Sequence, residues 1–226
     1  MSQTSEPILQ IKDIAKIYPG EGKSTLLRII DGLDKPTSGQ VLFHGQPITS
    51  PSPKVGVIFQ TFALIPWKTV LGNVLMAISS ASIQKEEQLK IAQKYIQDVG
   101  LEGFESSYPK ELSGGMKQRV GIARALALQP EVLLMDEPFS SLDALTAENL
   151  RREVVDIWRD PAYPTGSVIM VTHNVQEAVE MADRVIVLSA RPAKIVDDVK
   201  IDLERPRSPR DPVLYDLADR IISKIS

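Results

Sequence analysis

Leu112-Ser113-Gly114-Gly115-Met116-Lys117-Gln118-Arg119 opens a stretch that continues as VGIARALALQPEVLLMDEPFSSLD and closes at Asp143. Two devices lie in it. The first is a helix: over residues 116–128 the apolar positions Val120, Ala123 and Ala127 recur at helical spacing, directly after Ser113-Gly114-Gly115. The first turn of such a helix leaves backbone N–H groups without partners, and two glycines keep side chains clear of them, so an anion is favoured there. The second is an apolar strand, residues 132–135, ending in Asp136 and Glu137. Two carboxylates then stand at a strand's carboxyl end, where open α/β sheets keep their ligands. One can hold Mg2+ and the other can polarise water.

Taken singly, each device has an ordinary reading: Ser-Gly-Gly before a helix is a loop with an N-cap, and Asp-Glu after a strand is a solvated turn. Their order is far more specific. Leu112 to Arg119, then Leu134-Met135-Asp136-Glu137-Pro138, then Ser140-Ser141-Leu142-Asp143, resemble the signature, Walker B and D-loop motifs of ABC-transporter ATPases. The resemblance extends over nearly the whole chain, with one gap.

That gap falls at the phosphate loop. Gly20-Glu21-Gly22-Lys23-Ser24-Thr25 leads into an apolar helix, residues 26–30, that Gly32 ends. A phosphate-binding loop reads G-x-x-x-x-G-K-[ST]: backbone N–H groups cradle the phosphates, the lysine reaches the outer ones and the hydroxyl ligates Mg2+. The first glycine belongs at position 17, which is Ile17, and no buried apolar strand delivers the loop. Residues 8–17, ILQIKDIAKI, read as an edge strand with polar residues interspersed, broken by Tyr18-Pro19-Gly20. The resemblance implies that Tyr18 stacks on adenine, although by its chemistry alone it could equally close a hydrophobic edge. In the family a hairpin and the central strand lie between that aromatic and the loop lysine; here Tyr18 and Lys23 are five positions apart, and an internal deletion is the simplest account. Five steps span at most ~18 Å, which leaves nothing for a central strand. Sliding residues 9–17 into that place would bury Lys12, Asp13 and Lys16 in a sheet covered on both faces. The segment is therefore expected to stay peripheral, with a vacancy in the core or a distorted loop at residues 20–24.

Further along, residues 37–45 read as a turn, a short strand and a turn of a small antiparallel sheet, with His44 as an exposed strand residue. Residues 55–59 form a buried strand ending at Gln60, and Gln60-Thr61-Phe62-Ala63-Leu64-Ile65-Pro66-Trp67 resembles the family's Q-loop. Alone, Gln60 would be a surface amide; the resemblance implies contact with Mg2+ and the attacking water. Leu64, Ile65 and Trp67 are expected to be exposed as a partner surface. Helical spacing marks residues 85–99 (Leu89, Ala92, Tyr95, Ile96, Val99) and 146–158 (Leu150, Val154, Trp158), the latter a core-facing stripe. A strand at 168–172 runs into His173, with Asn174 and Glu177 as a capping box on the next helix. A strand-end histidine is commonly structural, but His173 matches the family's switch histidine, whose imidazole contacts the γ-phosphate. Residues 185–188 read as a last parallel strand. Beyond it the segment Arg191 to Val196, the run Leu203 to Arg210 and a final helix at 212–225 resemble the tail of the nitrate, sulfonate and taurine importer ATPases, as does Pro66-Trp67. Arg205-Pro206-Arg207-Ser208-Pro209-Arg210, without interleaved aromatics, reads as a solvated connector and not as a nucleic-acid site.

Composition bounds these readings. The chain has 226 residues, 43% apolar and 24% charged, with 26 basic against 29 acidic side chains for a net charge of −3, so nothing suggests a general polyanion binder. The absence of cysteine excludes disulfides, thiolate metal sites and thiol catalysis. The opening MSQTSEP has neither a basic start nor an apolar run, and no stretch approaches the ~20 residues of a membrane span. A cytoplasmic protein is expected, with no direct membrane insertion and any membrane association made through a partner.

The resulting expectation is an α/β P-loop NTPase core with a mostly parallel sheet, a small antiparallel β subdomain, a helical subdomain inserted at about residues 62–111 and a C-terminal extension at 190–226, all within one ABC ATPase domain. The resemblance implies the ATPase subunit of an importer for a small oxyanion such as nitrate, a sulfonate or taurine, with ATP and Mg2+ as cofactors. Glu137 would be the base; Ser24, Gln60 and Asp136 would surround Mg2+; Lys23 and His173 would meet the γ-phosphate. Tyr18, Gly20, Gly22, Lys23, Ser24 and Thr25 would hold one nucleotide, and Ser113, Gly114, Gly115, Gln118 and Asp143 would face another. Two phosphate sites that cannot meet within one chain imply a head-to-tail pair of subunits, seated on transmembrane permease subunits. Two rivals stand beside this: a soluble ABC ATPase of repair or translation, against which the single short cassette and apolar Q-loop flank count, and a remnant whose nucleotide site is impaired.

Overall fold

The computed structural model describes residues 7–16, 22–80, 82–190, 192–208 and 211–225. At its centre three parallel strands, β4 (Val55–Ile58), β5 (Val132–Asp136) and β6 (Ser167–Val171), pair in that order; the numbering follows the chain. Val57 stands opposite Leu134, and Leu134 opposite Ile169. The middle strand explains the pattern of its own sequence: alternate side chains of β5 point to opposite faces, and both faces are covered. Leu133 and Met135 join the cluster made by the helices α2 (Val70–Ile78), α3 (Lys85–Asp98), α4 (Gly114–Ala127) and α5 (Ala144–Arg159). Val132 and Leu134 join Leu27, Ile29 and Ile30 of α1 (Gly22–Ile30) on the other side. A strand buried on both faces has no use for alternation, so VLLM is apolar throughout.

The N-terminal strand β1 (Leu9–Ala15) pairs antiparallel with β2 (Ser38–Phe43), which pairs with the short β3 (Gln46–Pro47). Lys12 and Asp13 are exposed and lie at a bulge, so residues 9–15 stay outside the parallel sheet, as their charges predict. The bulge is locked by Gly39: with φ +79° and a built Cβ only 2.3 Å from the Asp13 carbonyl oxygen, no side chain fits there. His44 stands in the turn after β2, not in the strand, and bonds the Glu131 carboxylate at 2.5 Å.

Two tail expectations are corrected. β7 (Arg184–Leu188) is not part of the parallel sheet: it pairs antiparallel with β8 (Ile195–Lys200), and among the described residues it shares no ladder with β6. The outer edge of β6 accordingly has no strand partner among the described residues, and all five of its residues are half-buried where those of β5 are almost wholly buried. The helix α6 (Val175–Met181) that joins β6 to β7 packs instead with β7, β8 and α7 (Pro212–Ile225) around Val179, Val187, Leu214, Ala218 and Ile221. Arg205 and Arg207 of the basic run are not solvated either, while Pro209 and Arg210 lie outside the described residues. Arg207 is 8% exposed and donates to the carbonyls of Val179 (3.0 Å), Ala182 (2.5 Å) and Leu203 (2.8 Å), closing the carbonyls that the end of α6 leaves open. Arg205 lies over the Trp158 ring and pairs with Asp183.

One buried acid makes stability pH-dependent. Asp31, 7% exposed just after α1, has its carboxyl pushed up to about 6 by burial. Between about pH 4 and 6 the folded chain then binds a proton that the unfolded chain releases, so this group makes stability fall as pH rises through that window and leaves it lower above. Asp31→Asn is expected to stabilise the protein at pH 7.5 by on the order of 2–3 kcal/mol and not at pH 4, as read by urea unfolding at the two pH values.

Candidate functional site

Parallel pairing brings the carboxyl ends of β4, β5 and β6 to one edge, and the residues that leave those ends are Gln60, Asp136-Glu137 and His173. The β5–β6 ladder continues one step past the strand: the Glu137 N–H donates to the Val171 carbonyl at 2.8 Å. This turns Glu137 into the left-handed region, φ +44°, rare for a residue with a Cβ and held here by its neighbours. Its Oε2 then accepts from Gln60 Nε2 at 3.1 Å and lies 3.0 Å from His173 Nδ1. The carboxylate is mostly covered at 18% side-chain exposure, whereas the imidazole is 63% exposed and open to a ligand. Beside it Ser24, in the first turn of α1, donates from Oγ to Asp136 Oδ1 at 3.0 Å. Five of the expected site residues thus form two adjoining groups, Ser24 with Asp136 and Gln60 with Glu137 and His173.

Gly22 opens α1 and Thr25 follows in its first turn. Tyr18, Gly20 and the side chain of Lys23 lie outside the described residues.

The second set assembles around the starts of α4 and α5. Ser113 caps α4, its Oγ accepting from Met116 N at 3.2 Å; Asp143 caps α5, accepting from Thr146 N at 3.0 Å. That backbone bond holds the exposed Asp143 carboxyl below the usual range. Gly114 is exposed, but Gly115 is buried, and a Cβ on it would meet Thr146 Cγ2 at 2.6 Å. Close packing of α4 on α5 therefore demands a glycine at 115 in addition to any anion. Gln118 departs from expectation. It is wholly buried, and neither amide atom finds a partner among the described residues. Its spacing from Ile122 and Ala125 places it on the inward face of α4, so in this chain it does not face a nucleotide.

The capping box is also only half formed. Asn174 Oδ1 accepts from Gln176 N and Glu177 N, but Glu177 turns away from the cap and accepts from Thr172 Oγ1 at 2.8 Å. Of the three residues expected on a partner surface, Trp67 is 76% exposed, while Leu64 and Ile65 are half-buried and Leu64 packs against the helical core.

Three supporting residues have no individual role in the sequence reading. Ser140 lies 3.4 Å from Gln60 Nε2 while donating to the Glu137 carbonyl at 3.0 Å. Arg124 of α4 holds the segment after Gln60 by donating to the carbonyls of Phe62 (3.0 Å) and Ala63, both residues at positive φ; burial pushes its pKa down. Asn73, fully buried, accepts from Ile65 N at 2.8 Å and donates to the carbonyls of Lys68 and Thr69. Its signal was available: one amide inside the otherwise apolar VLGNVLMAI of α2.

Comparison with known proteins matches residues 18–140 to the ABC transporter family. An uncharacterized ABC transporter ATP-binding protein of Methanocaldococcus jannaschii is 54% identical over 188 residues, covering 83% of this chain and 69% of that protein. A nitrate import ATP-binding protein of Synechocystis is 45% identical over 213 residues, covering 90% and 79%. Among solved structures, the dimeric post-hydrolysis state of an ATP-binding cassette bound to ADP and Pi superposes with TM-score 0.72 at 28% identity, covering 87% of this chain and all of that one. With its strand-end carboxylates, its SGG-capped helix and these relatives, the chain belongs to the ABC transporter family as an ATP-binding, ATPase-type subunit.

Proposed function

We propose that the chain energises import of a small oxyanion of the nitrate, sulfonate or taurine type, working as a head-to-tail pair of ATPase subunits on the inner face of the cell membrane beneath transmembrane permease subunits. The observation that carries the site assignment is the convergence of Gln60 and His173 on one carboxylate oxygen of Glu137, beside Ser24 and Asp136. The importer class is supported by the nitrate import relative and by Trp67, an exposed aromatic that the helices of this chain leave open to a partner. No helix among the described residues is long and apolar enough to cross a membrane, which suits a subunit held there by others.

The donor set fits Mg2+. Ser24 Oγ and Asp136 Oδ1 are hard oxygen donors already within 3.0 Å of each other, and the Gln60 amide oxygen is a third on the neighbouring strand end. Bound there with ATP, the cation would neutralise charge on the transferred phosphoryl group. Glu137 accepts the proton of the attacking water, Gln60 aligns that water, and His173 donates a hydrogen bond to the γ-phosphate oxygens, with Lys23 from the head of α1. Ser113 with the Gly114 backbone reaches the nucleotide of the partner subunit, and Asp143 lies at the same interface. In this assignment Tyr18 stacks on adenine and Gly20, Gly22, Thr25 and Gly115 shape the phosphate contacts.

A second reading, impaired nucleotide binding, rests on a specific pair of observations. Only six residues, 16–21, separate β1 from α1, and the outer edge of β6 has no strand partner among the described residues. The strand that leads a complete phosphate loop into its helix is missing from the sequence, and an internal deletion accounts for both.

Two outcomes follow. Glu137→Gln preserves the shape of the site but cannot accept a proton, so kcat is expected to fall ~10²–10⁴-fold with ATP retained in a dimer; equal turnover in mutant and parent would remove Glu137 from that role. Mg-ATP is expected to bind roughly a hundredfold more weakly than to a relative with a complete loop, since two lost charge-assisted bonds are each worth ~1.5–3 kcal/mol. Isothermal titration reads this. Micromolar affinity abolished by Lys23→Ala would show instead that the shortened loop suffices.

A further inference from the structure

His173 stands in the middle of a three-residue turn, 172–174, between β6 and α6, and what fixes that turn lies away from the nucleotide side. Thr172 Oγ1 donates to Glu177 Oε2 at 2.8 Å and accepts from Asn174 N at 2.9 Å, so the residues on either side of His173 are tied together through one hydroxyl. Asn174 is itself pinned as the cap of α6. The other oxygen of Glu177, Oε1, lies 3.5 Å from Arg151 Nη1, and Arg151 Nε donates to Glu180 Oε2 at 2.9 Å. All three charged side chains are nearly closed to water: 13% exposed for Arg151, 8% for Glu177 and 10% for Glu180. A guanidinium and two carboxylates are removed from solvent only at a cost, and removing one partner would leave the others uncompensated, so the set resists rearrangement. Nothing in this set touches the reacting groups directly. Its charged side chains reach toward the site through the Thr172 hydroxyl.

We propose that Glu177, braced by Arg151 and acting through Thr172, is a positioning residue that holds His173 against Glu137. This rests on the ATPase reading for its purpose, but the contact it governs exists without nucleotide. The arrangement has a mechanical consequence. Arg151 belongs to α5, eight residues beyond the cap Asp143, about 12 Å along a helix axis. The first turn of the same helix packs through Thr146 on Gly115. One rigid helix therefore joins the Ser113–Asp143 end, which serves the partner's nucleotide, to the turn that sets His173 over this chain's own. Movement of α5 at its N-terminal end is transmitted to the imidazole through Arg151 and Glu177, which couples the two half-sites carried by a single chain.

The test reads the imidazole of the nucleotide-free chain. With only two histidines, His44 and His173, the ring signals in a long-range ¹H–¹⁵N spectrum are assigned by His44→Gln. Glu137→Ala supplies the reference position of an unpaired His173. Thr172→Val keeps the shape of the side chain and removes the hydroxyl that donates to Glu177; it is expected to move the His173 signals at least half of the way to that reference, leaving His44 and the far-ultraviolet circular dichroism unchanged. Thr172→Ser, which restores the hydroxyl, is expected to return them to the parent position, a rescue that a merely structural role for the methyl would not give. Arg151→Met is expected to move them part of the way. Glu177→Ala strands a buried guanidinium and risks unfolding, so the hydroxyl variants carry the decision. His173 signals in Thr172→Val that superimpose on the parent would overturn the proposal, as would Glu137→Ala leaving them in place. Failure to hydrolyse Mg-ATP would sink the ATPase reading and leave these spectra as they are.

Discussion

The structure depends on a strand that is buried along its length and polar at its end. β5 carries Val132, Leu133, Leu134 and Met135 between two helical layers and then emerges as Asp136 and Glu137. Burial on both faces fixes its direction and depth, because a slip of one residue would exchange the side chains facing α1 for those facing α4 and would draw a carboxylate inward. The position of the carboxylates is thus set by the packing of the apolar run. The neighbouring strands are held in register with it, so Gln60 and His173 arrive at the same edge for the same reason.

The strained backbone at Glu137 is the local expression of this constraint. A glutamate with φ +44° persists because its N–H completes the ladder to Val171, Ser140 donates to its carbonyl, and Gln60 and His173 both meet its carboxylate. Strain of this kind costs on the order of 1–3 kcal/mol, and here it coincides with the group best placed to take a proton from water. Similar tension surrounds the segment after Gln60: Phe62 and Ala63 both lie at positive φ, and Arg124 holds their carbonyls from α4. The helix that begins with Ser113-Gly114-Gly115 thereby touches the loop that begins with Gln60. Two of the motifs are mechanically joined at positions that carry no motif.

Much of this was legible from residues because the physical demands are local. A strand covered on both faces must be apolar, so residues 132–135 announced both the strand and its burial. A charged, interrupted segment cannot replace such a strand, so residues 9–15 lie at the periphery, where a bulge at Asp13 and the close approach of Gly39 hold them. Tail residues were harder. Arg205 and Arg207 read as solvated because arginine beside proline in a run is usually so; whether a guanidinium is buried depends on distant carbonyls, here those ending α6, and no local pattern reports them.

By itself the sequence determined the chemistry at the sheet edge: which side chains can accept a proton, donate to a phosphate or hold a hard cation, and in what order the strands deliver them. It also determined that the loop before α1 is short, since the count from Tyr18 to Lys23 needs no structure. Tertiary structure decided the rest, because partners distant in sequence are chosen by packing and not by spacing. It turned Gln118 inward, set β7 against β8 instead of the parallel sheet, and sent Glu177 to Thr172 and Arg151 instead of to the cap of its own helix. Each of these outcomes follows from what a neighbouring element leaves unsatisfied, and that quantity exists only once the elements have come together.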